Sequence, residues 1–285
     1  MAKGEKDRGN FVSRIGSTAK GLVKIALQSR LDTVKPVASK QDSIVIMGNG
    51  PSLRDTMRDF PDVLSSVPTM AVNFAALAPE FQQLKPRFYL MVDPVFFAKN
   101  PHENVIRLRE AFAQINWKMT LFVPRSARRR CENLKSEFVD IQYFNPVGVE
   151  GFQWFEDWAY RSGRAMPRPR NVLIPAIMIA IRLGFGQIYI AGADHSWHQS
   201  LAVDNLNRVF SAPVHYYKDN AAESQRIATA YSDLAIHEIF YSYYIAFRAY
   251  YTLRRFARRS GVDIYIATPQ SFIDAFERRS LCDLR

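Results

Sequence analysis

Seven short apolar stretches recur along this chain, and most are followed by a helix-like pattern before the next begins. They are "SIVIMG" (43–48), "PTMAVNFAAL" (68–77), "PRFYLMVDP" (86–94), "KMTLFVP" (118–124), "FVDIQYFN" (138–145), "QIYIAGAD" (187–194) and "VDIYIATP" (262–269). Runs this short and this nearly continuous in apolar residues read as strands buried on both faces, the situation inside a parallel sheet covered by crossover helices. The alternation therefore predicts an α/β fold: a Rossmann-like, largely parallel sheet with helices on both faces. "SLRDTMRDF" opens the first of these helices, "VLIPAIMIAIRLGF" is an apolar one, and a long one covers about 233–260. A closing helix is expected over "SFIDAFERR" (271–279). In the long helix, Phe240, Tyr244, Phe247 and Tyr251 share a face and are expected in the core.

Ligands of open α/β sheets bind beyond the carboxyl ends of the strands, and the polar positions of this chain collect there. The first strand ends in Gly48-Asn49-Gly50-Pro51-Ser52, the second at Asn73, and the third at Asp93-Pro94. A later strand ends in Gly192-Ala193-Asp194-His195, and the last in Thr268-Pro269-Gln270-Ser271. Asn and Asp are also ordinary turn and cap residues, so the weight lies in their joint occurrence around one sheet. Glycines at 48 and 50 allow close approach of a ligand to the backbone, or positive φ. Ser52 is placed to cap the following helix, whose N–H groups would favour a phosphate. The turn is neither a Walker loop nor G-x-G-x-x-G, because no Gly-Lys-Ser/Thr follows and Leu53 stands where the third glycine would be.

Two regions interrupt the alternation, residues 147–170 and about 196–232; the second is expected to form a lid over the sheet's edge. Residues 1–40 form a separate basic segment ahead of a domain spanning 41–285. Within it Phe11, Ile15, Leu22, Ile25 and Ala26 approximate one helical face, with Arg14, Lys20, Lys24 and Arg30 elsewhere. Such a helix suits a membrane interface; packing on its own domain is the alternative. The chain of 285 residues has a net charge of +11, which calls for an anionic partner such as nucleic acid, a phospholipid surface or an anionic glycolipid. No apolar run reaches the length of about 18 residues that a spanning helix needs. Two cysteines, Cys131 and Cys282, are too few for a disulfide framework or a cysteine zinc site. With no secretory signal pattern at the N-terminus, a cytoplasmic location is expected, with peripheral binding to the inner membrane's cytoplasmic face as a variant.

"IVIMGNGPSL" resembles the opening strand and loop of the bacterial sialyltransferases of glycosyltransferase family 42, and of related polysaccharide-biosynthesis proteins sharing the GxGPSL motif. The resemblance continues in order through "AVNFAAL", "RFYLMVDPVFF", "PRNVLIPAIMIAIRLGFGQIYIAGADHSW" and "VDIYIATPQSFIDAF". It covers most of 42–279 and is weakest over 100–165 and 196–245. It implies a single-domain, metal-independent, inverting glycosyltransferase that moves an acidic sugar from a CMP donor to a surface polysaccharide or lipid oligosaccharide. It places the nucleotide along Gly48, Asn49, Gly50, Ser52, Asn73 and Gly192. Donor sugar and phosphate fall to Asp93, Arg170, Asp194 and His195, with Tyr216 and Tyr217 on the departing phosphate. The chain departs from the family where Asn171, Val172 and Leu173 replace an Ile-Thr-Ser run, where Asp93 replaces an asparagine, and where no tyrosine closely follows Asp194. Those departures leave the sugar open among sialic acid, Kdo and similar ulosonic acids.

A histidine is the implied base, and position must select it, since any imidazole titrates in a suitable range. The family's base lies ahead of the last long helix, which favours His237 and then His215. His195 and His198, with Asp194 and Asp204 nearby, have the spacing for a divalent ion, but loop Asp and His are frequent without one. Two rival readings stand. One is a pterin pyrophosphokinase-like transferase using ATP and Mg²⁺ held by Asp93 and Asp194. The other is a non-catalytic polyanion- or lipid-binding protein working through "RSARRRCENLK" (125–135) and "FRAYYTLRRFARR" (247–259). In the transferase reading no nucleic acid is expected, Arg254, Arg255, Arg258 and Arg259 form a solvated or lipid-facing edge, and an oligomer is allowed.

Overall fold

A computed structural model of the chain describes residues 9–30, 34–37, 42–211 and 234–284. Among these residues the strands are β1 Ser43–Met47, β2 Thr69–Val72, β3 Phe88–Leu90, β4 Met119–Pro124, β5 Val139–Phe144, β6 Gln187–Ala191, β7 Leu201–Val203, β8 Val209–Ser211, β9 Asp263–Ile266 and β10 Glu277–Arg278. Eight of them form one sheet in the order β10-β9-β6-β1-β2-β3-β4-β5, and every neighbouring pair is parallel. β7 and β8 make a separate antiparallel hairpin. The chain builds outward from β1 to β5, then returns to place β6 on the other side of β1. Strand order thus reverses between β1 and β6, and a crevice opens beyond their carboxyl ends.

Period-two alternation divides the strands between two cores. Ile44, Ile46, Ile188 and Ile190 point to one face, while Val45, Met47, Tyr189 and Ala191 point to the other. The first face is covered by α5 (Gln153–Arg161), α6 (Leu173–Leu183) and α7 (Ile236–Arg259), with α1 (Phe11–Gln28) reaching it through Ile25. The second is covered by α2 (Leu53–Asp59), α3 (Pro61–Ser66) and α4 (Glu103–Ala113). α6 is apolar except for Arg182 in its last turn, because nine of its eleven residues are buried between sheet and α7. The Rossmann-like α/β arrangement expected from the sequence is the one found.

Three local expectations are corrected. The closing helix is absent: 271–276 is irregular and leads into the two-residue β10 at the sheet's edge. Its polar groups are taken by the neighbouring loop, since Phe272 N donates to Asp194 O and Ser271 Oγ donates to Ala193 O. The aromatic face expected of α7 is only partly inward. Phe240 and Tyr244 are exposed and Phe247 and Tyr251 are half-buried against the core, whereas Ala246, Ala249, Tyr250 and Leu253 are buried, the small Ala246 and Ala249 letting α7 approach the apolar α6 closely. In α1 only Ile25 of the expected face is buried, together with Thr18 and Gly21; Phe11, Ile15, Leu22 and Ala26 point outward. Of the expected lid, the structure describes residues up to 211. His215, Tyr216 and Tyr217 lie outside the described residues.

Candidate functional site

The glycines at the ends of β1 and β6 are required by each other. Gly48 N donates to Ala191 O and Gly50 N to Gly192 O, both at 2.8 Å, which extends the β1–β6 ladder into the two loops. A Cβ at position 48 would lie 2.4 Å from the Gly192 carbonyl oxygen, and one at 50 would lie 1.9 Å from Asp194 Oδ2. Gly192 has φ +64°, and a Cβ there would meet Gly48 O at 2.8 Å. Neither Gly48 nor Gly50 has positive φ. Close packing of loop on loop is therefore what these glycines provide, in place of the φ > 0 turn the sequence allowed. The far side of the β6 loop is pinned by the end of β9: Thr268 Oγ1 accepts from Ala193 N at 2.9 Å.

Ser52 does not cap α2. Its side chain makes no capping bond, and its hydroxyl donates to Asp194 Oδ2 at 2.8 Å while its N–H donates to the same oxygen at 3.4 Å. A carboxylate of the protein thus occupies the start of α2, where the sequence suggested a phosphate. Ser52 does not line the cavity described next.

A cavity of about 480 Å³ fills the crevice, bounded by the loops after β1, β2, β3 and β6 and by residues 169–173 ahead of α6. Three residues that line it, Asn49, Asn73 and Asn171, each carry a buried amide atom with no hydrogen-bond partner among the described residues: Asn49 Oδ1, Asn73 Oδ1 and Asn171 Nδ2. Two of these amides are oriented by the bonds they do make. Asn49 Nδ2 donates to Val72 O at 3.3 Å, so its oxygen is the atom left over. Asn171 Oδ1 accepts from Leu173 N at 3.0 Å, at the start of α6, and from Tyr250 Oη at 3.0 Å, so its NH₂ is left over. Asn73 sits at φ +53°, a left-handed position that Asn tolerates, and its carbonyl accepts from the buried Tyr89 hydroxyl at 2.5 Å. An unmade hydrogen bond at a buried polar atom costs about 1–3 kcal/mol. Two of these atoms are acceptors and one is a donor, all on residues bordering one cavity.

Behind Asn171 lies a buried chain of side chains. His195 Nε2 and Tyr250 Oη are 2.6 Å apart, and Tyr250 donates onward to Asn171. Both bonds form together only if Nε2 carries a proton and donates to Tyr250 Oη, which in a neutral ring is the Nε2–H tautomer. Burial pushes the His195 pKa down to about 3 and raises that of Tyr250, so neither group is charged near neutrality. His195 has φ +55°, and its ring packs on Trp197 with centroids 4.1 Å apart. His195 is therefore a neutral, buried member of the chain of hydrogen bonds that ends at Asn171. Asn171 and Tyr250 are the site residues that sequence reasoning did not assign. The signal for Asn171 was the break between "PRPR" and the apolar helix; for Tyr250, 79 residues away, there was none.

The remaining candidates divide. Arg170 is exposed and, among the described residues, is the one cationic side chain lining the cavity. Asp93 lines it too, but its carboxylate accepts from Val95 N at 3.0 Å, closing the turn after β3. His237 is exposed in the first turn of α7 and does not line the cavity. It lies about 9 Å along the helix from Tyr243, whose ring meets Trp197 at the rim. The spacing that suggested a cation site disperses. His198 packs on Phe272, and Asp204 pairs with Arg208 at 2.8 Å within the β7–β8 turn. Among the described residues no group of three or more His, Cys, Asp or Glu gathers to hold a metal. No described helix is long and apolar enough to cross a membrane.

No protein-family model matches the chain, and no curated protein matches its sequence. Among solved structures it is similar to the MAf glycosyltransferase from Magnetospirillum magneticum AMB-1, with a TM-score of 0.51 and 14% sequence identity. The match covers 98% of this chain and 40% of that one, so this chain spans well under half the length of that protein. At such identity the likeness establishes a shared fold.

Proposed function

We propose that the crevice seats a nucleotide-activated sugar and that the chain is a glycosyltransferase, with a CMP-linked acidic sugar as donor. The observation that carries this reading is the set of three buried, unpartnered amide atoms around one cavity at the strand-order reversal. Asn49 Oδ1 and Asn73 Oδ1 are acceptors suited to a base amine or ribose hydroxyls, and Asn171 Nδ2 is a donor suited to a carbonyl or phosphate oxygen. The glycosyltransferase named among similar structures supports the same class, as does the family resemblance of the GxGPSL loop.

In this reading Gly48, Asn49, Gly50, Asn73 and Gly192 form the nucleotide seat, with Ser52 supporting it through Asp194. The phosphate lies toward Arg170, away from the start of α2, where the Asp194 carboxylate would repel it. The His195–Tyr250 pair holds the Asn171 amide with its NH₂ turned to the donor. The acceptor hydroxyl attacks the anomeric carbon as the bond to the CMP phosphate breaks, and CMP leaves with that electron pair. The hydroxyl proton passes to a histidine, for which His237 is the first choice and His215 the second; Tyr216 and Tyr217 remain candidates for the departing phosphate. Asp93 is placed against the donor sugar. The acceptor is a glycan or glycolipid.

One observation favours a second reading. Among the described residues, the charged side chains lining the cavity are two carboxylates, Asp93 and Asp194, and one guanidinium, Arg170. That balance would suit a transferase using ATP with Mg²⁺, in which those two aspartates hold the ion and its charge offsets the phosphates. Thermal shift with CMP, UMP, ADP, GDP and Mg²⁺-ATP separates the two. Stabilisation by CMP in the presence of EDTA supports the first; stabilisation by ATP only with Mg²⁺ replaces it with the second.

A further inference from the structure

α1 contains no acidic residue, three basic ones (Arg14, Lys20 and Lys24), and enough apolar residues to pack firmly on the domain. It packs by a narrow strip instead. Thr18, Gly21 and Ile25 face inward, with the Phe155 ring lying under Gly21 and Thr18 Oγ1 accepting from Phe152 N at 2.9 Å. The larger apolar side chains Phe11, Val12, Ile15, Leu22, Val23 and Leu27 all point outward and are exposed, Val12 by 73% and Leu27 by 69%. Only Gly16, Ala19 and Ala26 fall between them. At 3.6 residues per turn these nine positions fill a continuous arc of about 160° without one polar side chain. Lys20 borders the arc on the side of Leu27.

The apolar face continues onto α5. Phe11 meets Phe152 edge to face at 5.5 Å, and Phe155, beneath Gly21, carries Trp154 and Trp158 on its flanks at 6.1 Å each. Both tryptophans are exposed, Trp154 by 65%. A surface helix normally turns its apolar arc to the core and its charged side to water. Here the arc faces away from the protein, it is bordered by lysine, and tryptophans stand beside it.

We propose that this face, formed by the outer arc of α1 with Trp154 and Trp158, docks the protein on an anionic phospholipid surface, α1 lying in the plane of the interface. The chemistry fits a bilayer. An apolar arc enters the acyl boundary, tryptophan rings sit at headgroup level, and Lys20 at the arc's border meets the phosphates; Arg14 lies over the Phe152 ring and Lys24 donates to Gly148 O. α1 is too short and too polar to span, which leaves the in-plane orientation. A second copy of the chain is a poorer occupant, because two molecules each carrying +11 repel one another while an anionic surface attracts both. The proposal does not rest on the transferase reading, since no residue of the face lines the cavity.

The test is co-sedimentation of the full chain with vesicles of phosphatidylcholine and phosphatidylglycerol in equal parts, against phosphatidylcholine alone. Wild type is expected to partition onto the anionic vesicles, less at high salt, with a blue shift of tryptophan emission and quenching by brominated lipid. Val12→Asp combined with Val23→Asp should weaken partitioning about tenfold or more, and Trp154→Ser with Trp158→Ser should abolish the emission shift. Nucleotide-induced thermal shifts should be unchanged in both, which keeps this test separate from that of the crevice. Absence of binding to anionic vesicles overturns the proposal, as does equal binding to phosphatidylcholine alone. Concentration-dependent dimerisation without lipid, lost in the Val12→Asp/Val23→Asp variant, overturns it in favour of a second copy.

Discussion

The crevice between β1 and β6 and the outer face of α1 are both surfaces with interactions left unmade, of opposite kinds. In the crevice, polar amide atoms are buried without partners. On α1, large apolar side chains are exposed without cover. Hydrogen bonds are directional, so the first arrangement selects a ligand by the positions of its donors and acceptors. Apolar burial is roughly proportional to area and indifferent to detail, so the second selects a class of surface. The crevice is also built from backbone in contact with backbone, whereas the α1 face projects from a helix into open space. Substitutions at the backbone contacts of the first region should therefore disturb the fold, whereas substitutions on the outer face of the second should leave it alone.

The largest effect is expected at the loop contact. Gly48→Ala places a Cβ 2.4 Å from the Gly192 carbonyl, with only backbone to move, and should cost about 3 kcal/mol or more. Urea unfolding measures it, and an unchanged midpoint would mean the two loops are not held together as described. Next comes acid stability. His195 is held neutral in the fold, with a pKa of about 3 against an ordinary 6.5. The unfolded chain takes up a proton there below pH 6.5 while the folded one does not until about pH 3. Its contribution is thus complete above pH 6.5 and is lost as pH falls, by about 1.4 kcal/mol per unit. Denaturant melts from pH 7 to 4 should show a slope that is shallower by that amount in His195→Gln.

Smaller effects sharpen the contrast. Asn73→Gly keeps the left-handed backbone accessible and deletes only the amide, so CMP affinity should fall about tenfold with little change in Tm. Calorimetric titration reads it, and unaltered affinity would remove Asn73 from the seat. On α1, Gly16→Ala meets nothing within 4 Å, and should stabilise by about 0.5–1 kcal/mol through helix propensity alone. The same glycine-to-alanine change would then have opposite signs in the two regions, which thermal melts of both variants can establish directly.

The sheet was legible because its strands are buried on both faces and their apolar runs are unmixed with surface positions. The gathering of Asn49, Asn73 and Asp194 around one opening followed from that, since parallel strands all end on the same side. The partners of those residues were not legible. That Asp194 takes the Ser52 hydroxyl, and that Tyr250 reaches Asn171, depend on contacts between segments 142 and 79 residues apart. Nor could the pattern tell which side of α1 faces inward. Small residues, Thr18 and Gly21, make the contact, and hydrophobic periodicity is blind to them. The closing segment misled for a related reason: its periodicity is helical, but its N–H and hydroxyl groups are bound by the β6 loop.

The central claim is that Asn49, Asn73 and Asn171 leave their amide atoms open for a nucleotide. Calorimetric titration of CMP in EDTA into the wild-type chain and into Asn49→Ala tests it most directly. Saturable one-to-one binding to wild type is expected, tighter than that of ADP or GDP, with affinity about tenfold weaker in the variant. Absence of CMP binding to the wild type, or equal binding to both proteins, would contradict it.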